Sequence, residues 1–185
     1  CHKMPVSSNV RPHMRPQPYT EDAEKRAEVL EIELNRQSDR GAAIVAAAWL
    51  DDYLTIVLAS CLINHPESWK RLLGPGGSLD SFSAKIDLVT LLGVISPGIR
   101  SDFHAIREIR NEFAHRVAHK HSHEELSFGS QHIKDKCLSL RSVKSIETNS
   151  PRLLFVQACL KLAKELEMIW MFDVKVHDLG RIHLP

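Results

Sequence analysis

Hydrophobic residues recur every three or four positions along most of the chain, and polar residues fill the positions between them. This spacing places hydrophobic side chains on one face of an α-helix. Six stretches show the pattern: residues 21–34, 38–64, 67–73, 82–92, 97–119 and 151–172. A strand is indicated only at residues 174–176, which are too few to define a sheet. The pattern therefore predicts an all-α fold, a single-domain bundle of about six or seven helices.

Residues that start or stop helices support these boundaries. Ser38 is placed to cap the second helix, and Gly93 is placed to end the fourth in a left-handed conformation. Pro97 and Pro151 each follow a serine, and proline is favoured in the first turn of a helix. The glycines of residues 74–80 predict a turn, because a phosphate-binding loop needs a preceding strand and a following Lys-Ser or Lys-Thr pair.

The two ends of the chain differ from the helical part. Residues 1–20 are rich in proline and polar side chains and lack hydrophobic periodicity, which predicts a disordered N-terminal tail. The all-α domain is expected to span residues 21–177, and residues 178–185 are expected to form a C-terminal tail.

One charge interrupts the hydrophobic face of the helix predicted at residues 97–119. That face consists of Ile99, Phe103, Ile106, Arg110, Phe113 and Val117. A charge inside a packed face needs a counter-charge, because leaving it unpaired costs several kcal/mol. Asp51 and Asp52 lie in the middle of the most apolar stretch. We therefore predict a charge clamp between Arg110 and one of these aspartates.

A second, polar face of the same helix carries Arg107, Asn111 and His115, each four residues from the last. Arg110 lies about 140° around the helix from His115. One rigid helix cannot direct both side chains at the same atom unless it kinks or a second copy supplies one of them. A homodimer is therefore the expected assembly.

Charge and cysteine content narrow the class of protein. The chain has 24 Lys and Arg against 23 Asp and Glu, a net charge of +1, which excludes the global basic field of non-specific nucleic-acid binders. Residues 41–63 are apolar enough to suggest a membrane span, but two central aspartates favour a buried helix and no membrane contact. The cysteines lack CxxC spacing, which is typical of reduced thiols in a cytoplasmic protein.

Five histidines follow the polar face closely in sequence: His115, His119, His121, His123 and His132. His115 and His119 share a helical face, a spacing that two metal ligands can use. There is no HExxH motif, however, and the middle three histidines fall in a polar connector. A solvated loop is the simpler interpretation, so we predict no metal and no cofactor.

The sequence Arg110-Asn111, followed after three residues by His115, resembles the Arg-x4-His motif of the HEPN superfamily of helical domains. That resemblance implies a metal-independent endoribonuclease, or an RNA-binding protein, with a cleft formed by two copies. His115 would act as general acid or base, Arg110 would stabilise the phosphorane, and Asn111 would orient them.

A wider resemblance covers residues 38–140. The segments at residues 38–54, 77–96, 102–116 and 126–140 are similar, in order and spacing, to the mannitol operon repressor (MltR) family. The family name implies transcriptional repression. The sequence has neither a basic recognition helix with its turn nor an arginine-rich arm, so direct DNA reading is not expected. A regulatory protein partner, or RNA, suits the residues better.

Three functional interpretations therefore stand side by side. The chain is a regulatory helical module, an endoribonuclease of the kind just described, or a protein in which Arg110, Asn111 and His115 are purely structural.

Overall fold

The computed structural model describes residues 22–62, 65–115 and 126–171. It contains seven helices and, within these ranges, no strand, which confirms the predicted all-α fold. The helices are α1 (Asp22–Arg36), α2 (Asp39–Cys61), α3 (Pro66–Leu72), α4 (Phe82–Leu91), α5 (Pro97–His115), α6 (Gln131–Ser139) and α7 (Pro151–Met171).

Local signals fix the helix ends where the sequence predicts them. The Ser38 hydroxyl accepts a hydrogen bond from Gly41 N at 3.1 Å and so caps α2. Gly93 follows the last residues of α4 with φ +70°, a conformation that glycine adopts without strain. Helix α6 was not delimited by the hydrophobic pattern, because only Ile133 and Cys137 of its nine residues are buried.

Helix α2 is the centre of the bundle and packs against α1, α4, α5 and α7. Its buried face contains four alanines, whose small side chains let neighbouring helices approach closely. The buried residues are Ala42, Ala43, Ala46, Ala47, Leu50, Tyr53, Leu54, Val57, Leu58 and Cys61. Length and composition alone would allow α2 to cross a membrane, with mean hydropathy 1.6 over its most apolar window. A core helix has the same composition, and α2 contributes ten residues to the core.

Aromatic rings join the carboxyl-terminal part of α5 to α7. Phe113 and Phe128 have ring centroids 5.1 Å apart, and Phe128 and Phe155 have centroids 5.0 Å apart. All three rings are at most 2% exposed. This stack fixes the segment before α6 against the core, and such ring pairs add about 0.5–1.5 kcal/mol beyond the area that they bury.

The buried face of α5 differs from the predicted one: Asp102 and Ile109 are added to it, and Ile99 and Arg110 are only half-buried. It consists of Asp102, Phe103, Ile106, Ile109 and Phe113. Arg110 is half-buried at the edge of this face, next to the fully buried Ile109. The predicted rhythm was therefore displaced by one residue at Arg110, because positions 109 and 110 both lie close enough to the core direction to satisfy the spacing.

Asp102 is the charge that α5 does bury, at 2% exposure. Its Oδ1 accepts a hydrogen bond from Arg141 N at 2.9 Å, and its Oδ2 accepts one from Ser142 N at 2.7 Å. Two backbone donors satisfy the carboxylate, so Asp102 attaches the turn after α6 to α5.

The three described cysteines, Cys61, Cys137 and Cys159, are free and buried, as expected of small core residues. Burial raises the pKa of the Cys137 thiol to about 12, and it also raises the pKa of Cys159. Several predictions lie outside the described residues: the tails at 1–20 and 178–185, the strand at 174–176, and Val117, His119, His121 and His123.

A carboxylate in the first turn of α2 connects three parts of the bundle. Asp39 Oδ2 accepts a hydrogen bond from Phe128 N at 2.9 Å, and its Oδ1 pairs with Arg152 of α7. The Arg152 guanidinium also donates to the carbonyls of Leu34 and Gln37 at the α1–α2 junction. Arg152 thus satisfies carbonyl groups that α1 leaves without helical partners at its end.

Replacing Arg152 with alanine should lower the free energy of unfolding by about 2–4 kcal/mol, because it leaves Asp39 Oδ1 and two carbonyl groups without the donor that Arg152 supplies. Urea denaturation followed by circular dichroism measures the change. Lys164→Ala, at an exposed position of the same helix, is the control and should shift stability by less than about 0.5 kcal/mol. Equal stability of the two variants would show that the contacts of Arg152 contribute little to the free energy of unfolding.

Candidate functional site

The ion pair at Asp51 is not the one that the sequence predicts. Lys85 of α4 places its ammonium 3.0 Å from Asp51 Oδ1 and 3.9 Å from Asp80, and the lysine side chain is only 7% exposed. Among the described residues, Arg110 forms no ion pair with either Asp51 or the exposed Asp52. Helix α4 lies against α2 at Asp51, so Lys85 meets this carboxylate in place of Arg110.

The other predicted site residues all lie on α5. Arg107, Arg110 and Asn111 are half-buried, and His115 is exposed at the last residue of the helix. Arg107 Nε is shielded from water and has no hydrogen-bond partner among the described residues. The structure therefore leaves two guanidinium groups along this helix that are available to a ligand.

Arg110 and His115 do not converge within one copy of the chain. Helix α5 is continuous from Pro97 to His115, so the two side chains leave it about 140° apart. Joint action of Arg110, Asn111 and His115 on one phosphate would need a second copy. The ribonuclease hypothesis, the RNA partner and the homodimer stay predictions.

An open polar groove lies between α5 and α6, on a face that the sequence did not single out. It is lined by Arg100, Ser101, His104, Ala105, Glu108, Lys136 and Ser139. The α5 residues follow one another at helical spacing, and three of the lining side chains are small. Small side chains therefore form the base of the groove, and charged side chains line its two edges.

The α4 edge of the groove is an ion pair centred on Asp87. Asp87 Oδ1 accepts hydrogen bonds from Arg100 Nε at 2.9 Å and Nη2 at 2.6 Å, and His104 Nε2 lies 3.4 Å away. The hydrogen bonds from Arg100 hold the pKa of Asp87 below its ordinary value of 3.8, and His104 adds a smaller effect in the same direction. Asp87 is thus a stable carboxylate that orients the Arg100 guanidinium and the His104 ring.

The α6 edge is formed by Lys136, whose ammonium donates a hydrogen bond to Glu108 Oε2. This hydrogen bond lowers the pKa of Glu108, and the charges of Lys136, Arg107 and His104 act in the same direction. One turn further along α5, His132 Nε2 lies 3.7 Å from Glu112 Oε2. Alternating charges therefore line the boundary between the two helices and can meet charged or hydrogen-bonding side chains of a partner.

Sequence reasoning missed this groove because its pairs join different helices. Arg100, His104 and Glu108 do share one face by spacing alone, which was the available signal. Their partners Asp87 and Lys136 lie 13 and 28 residues away along the chain. Only the packing of α4 and α6 against α5 brings these charges together.

The described residues contain no group of three or more histidine, cysteine, aspartate or glutamate side chains that could hold a metal ion. His104 and His132 each have one carboxylate neighbour, which is fewer ligands than a protein metal site needs. The chemistry that this region supports is hydrogen bonding and charge pairing.

No family model matches the chain, and no curated protein matches its sequence. Among solved structures, it is similar to a chain in the X-ray structure of the MtlR–HPr complex from Escherichia coli. The identity is 17% and the TM-score is 0.64, and the similarity covers 76% of this chain and 98% of that chain. The likeness supports an MtlR-like fold, as the resemblance in the sequence implies, and it extends to the fold alone.

The Glu108–Lys136 pair should make stability depend on pH in the acid range. Because the pKa of folded Glu108 is lowered, the pair stabilises the fold above the ordinary value of 4.5 and loses this effect as the pH falls through the folded pKa. Lys136→Met should therefore be less stable than the natural protein by at most about 1 kcal/mol near neutral pH, with a smaller gap at about pH 3.

Urea denaturation of both proteins across this pH range measures the gap. Lys134→Met, at an exposed position of the same helix, is the control and should show the pH dependence of the natural protein. A gap for Lys136→Met that stays constant with pH would mean that the lysine contributes by packing alone.

Proposed function

We propose that this chain is a regulatory helical module, a transcriptional regulator that acts by binding a protein partner. The observation that carries the proposal is the similarity of fold over 98% of a chain solved in a complex with HPr. A fold does not determine a function by itself, so the surface must also suit the role. The surface charges suit the binding of a protein partner in two ways.

Firstly, four of the described cations are engaged with the protein's own carboxylates. Lys85, Arg100, Lys136 and Arg152 form ion pairs with Asp51, Asp87, Glu108 and Asp39. Binding of a nucleic-acid backbone draws its affinity from cations that neutralise phosphates. Cations that are already neutralised contribute less to such binding, which favours a protein partner over duplex DNA.

Secondly, the groove between α5 and α6 presents the features of a polar contact surface. The side chains of Arg100 and Asp87 are 43% and 45% exposed, so this pair can still hydrogen-bond to a partner. Ala105, Ser101 and Ser139 leave room for a partner side chain between the charged edges. We place the partner's contact surface at this groove.

Titration with purified Escherichia coli HPr in a calorimeter tests the proposal. We expect a saturable 1:1 complex with a dissociation constant in the micromolar range, about 8 kcal/mol of binding free energy. Duplex DNA at about 0.15 M salt is the parallel titrant and should show no sequence-selective binding. Absence of heat or of a complex with HPr at several hundred micromolar, or tight selective DNA binding, would contradict the proposal.

A matched pair of serine variants tests the location of the contact. Ser139→Trp fills the floor of the groove and should weaken HPr binding at least tenfold, about 1.4 kcal/mol. Ser145→Trp places the same side chain at an exposed position after α6 and should leave binding unchanged. Equal affinity of both variants would move the contact away from the groove even if HPr binds.

A further inference from the structure

Helix α4 covers only part of the α2 face against which it packs. Leu58 and Leu54 on that side of α2 are fully buried, and one turn earlier Asp51 pairs with Lys85 of α4. On the same side and nearer the start of α2, Ala48 is exposed and Ile44 is 39% exposed. The face thus changes from buried to exposed between Asp51 and the start of α2, and the apolar side chain of Ile44 is left at the surface.

Two sets of contacts, one at the start of α2 and one further along it, show which part of α5 faces this exposed segment. Asp39, at the start of α2, bonds to Phe128, whose ring stacks on Phe113 near the end of α5. Further along α2, α4 contacts Asp51 through Lys85 and contacts Phe103 of α5 through Phe82, whose ring centroid is 6.4 Å away.

Helices α2 and α5 are therefore antiparallel. With the same rise per residue in both helices, Ile44 and Ala48 stand level with Arg110 and Arg107. These four residues define a surface that we call the α2–α5 shoulder.

The two arginines of the shoulder differ from the other interhelical cations. Arg107 and Arg110 have no ion pair or hydrogen bond to a carboxylate among the described residues, whereas Lys85, Arg100 and Arg152 each have one. Arg107 acts on Glu108 only through its longer-range field. Its Nε is shielded from water and has no partner, so no acceptor among the described residues compensates this guanidinium, and a ligand carboxylate beside it would offset its charge.

We propose that the α2–α5 shoulder binds an acidic, amphipathic protein segment. Carboxylates of that segment pair with Arg107 and Arg110, and an apolar side chain packs on Ile44 and Ala48. A nucleic acid is the poorer occupant, because a continuous row of phosphates would also pass the exposed Asp52, one turn from Ala48, whereas the carboxylates of a protein segment can be confined to the two arginines.

This inference goes beyond the proposed function, because the shoulder and the α5–α6 groove lie on different sides of α5. Arg110 is about 160° around the helix from Glu108 of the groove, whereas Arg107, about 100° from Glu108, lies between the two surfaces. The two surfaces can therefore be tested separately with the same protein.

The probe is a helical peptide of about 16 residues with glutamate and leucine at i, i+3 and i+4 spacing, and binding is followed by amide chemical shifts of the isotope-labelled protein. We expect saturable shifts in α2 and α5 around the shoulder, with an affinity that falls as salt rises. The variant Arg107→Gln/Arg110→Gln should weaken binding at least tenfold. Lys134→Gln/Lys144→Gln removes two exposed charges elsewhere and should leave it unchanged.

A second variant tests whether the double arginine variant loses peptide binding only because its structure is disrupted. Ile44→Glu changes an exposed residue and should also abolish peptide binding, while both variants keep HPr titration as in the natural protein. No shifts at millimolar peptide, shifts confined to other surfaces, or unchanged affinity of the arginine variant would overturn the proposal. Tighter binding of a single-stranded RNA of equal charge, lost in the same variant, would also overturn it.

Discussion

Charges that leave water must be paired, and this constraint determines how the helices of the bundle meet. An unpaired buried charge costs several kcal/mol, which is comparable to the whole stability of a domain of this size. Asp39 is met by Arg152, Asp51 by Lys85, and Asp102 by two backbone N–H groups. Each contact joins elements distant in sequence. The apolar core supplies the driving force for packing, and these charges select the register in which it occurs.

Helix boundaries could be predicted from the sequence because their causes are local. The Ser38 cap, the left-handed Gly93 and the prolines at the start of α5 and α7 act within one turn of the chain. The short helix α6 was not predicted in this way, because a helix with only two buried residues shows little hydrophobic periodicity. The architecture as a whole followed from the number and length of apolar faces, which depend on composition and spacing.

The partners of charged residues could not be predicted in the same way. Spacing shows which residues share a face of one helix, but not the rotation of that face toward its neighbours. Arg110 was matched with Asp51 or Asp52 because these three charges interrupt apolar faces, whereas α4 brings Lys85 to Asp51. A lysine within the apolar run of α4 was the available signal for the true pair.

A distant likeness of fold constrains the core more strongly than the surface. At 17% identity the fold is still similar over 76% of this chain, because many apolar side chains of similar volume satisfy the same packing. Surface charge is under no such constraint. A difference in binding partner between two proteins of this fold would therefore arise from their surface charges. On α5, one side is buried, a second carries paired charges, and a third carries arginines without carboxylate partners among the described residues. The two surfaces proposed for recognition therefore lie on two charged sides of a single helix, whose orientation the core holds fixed.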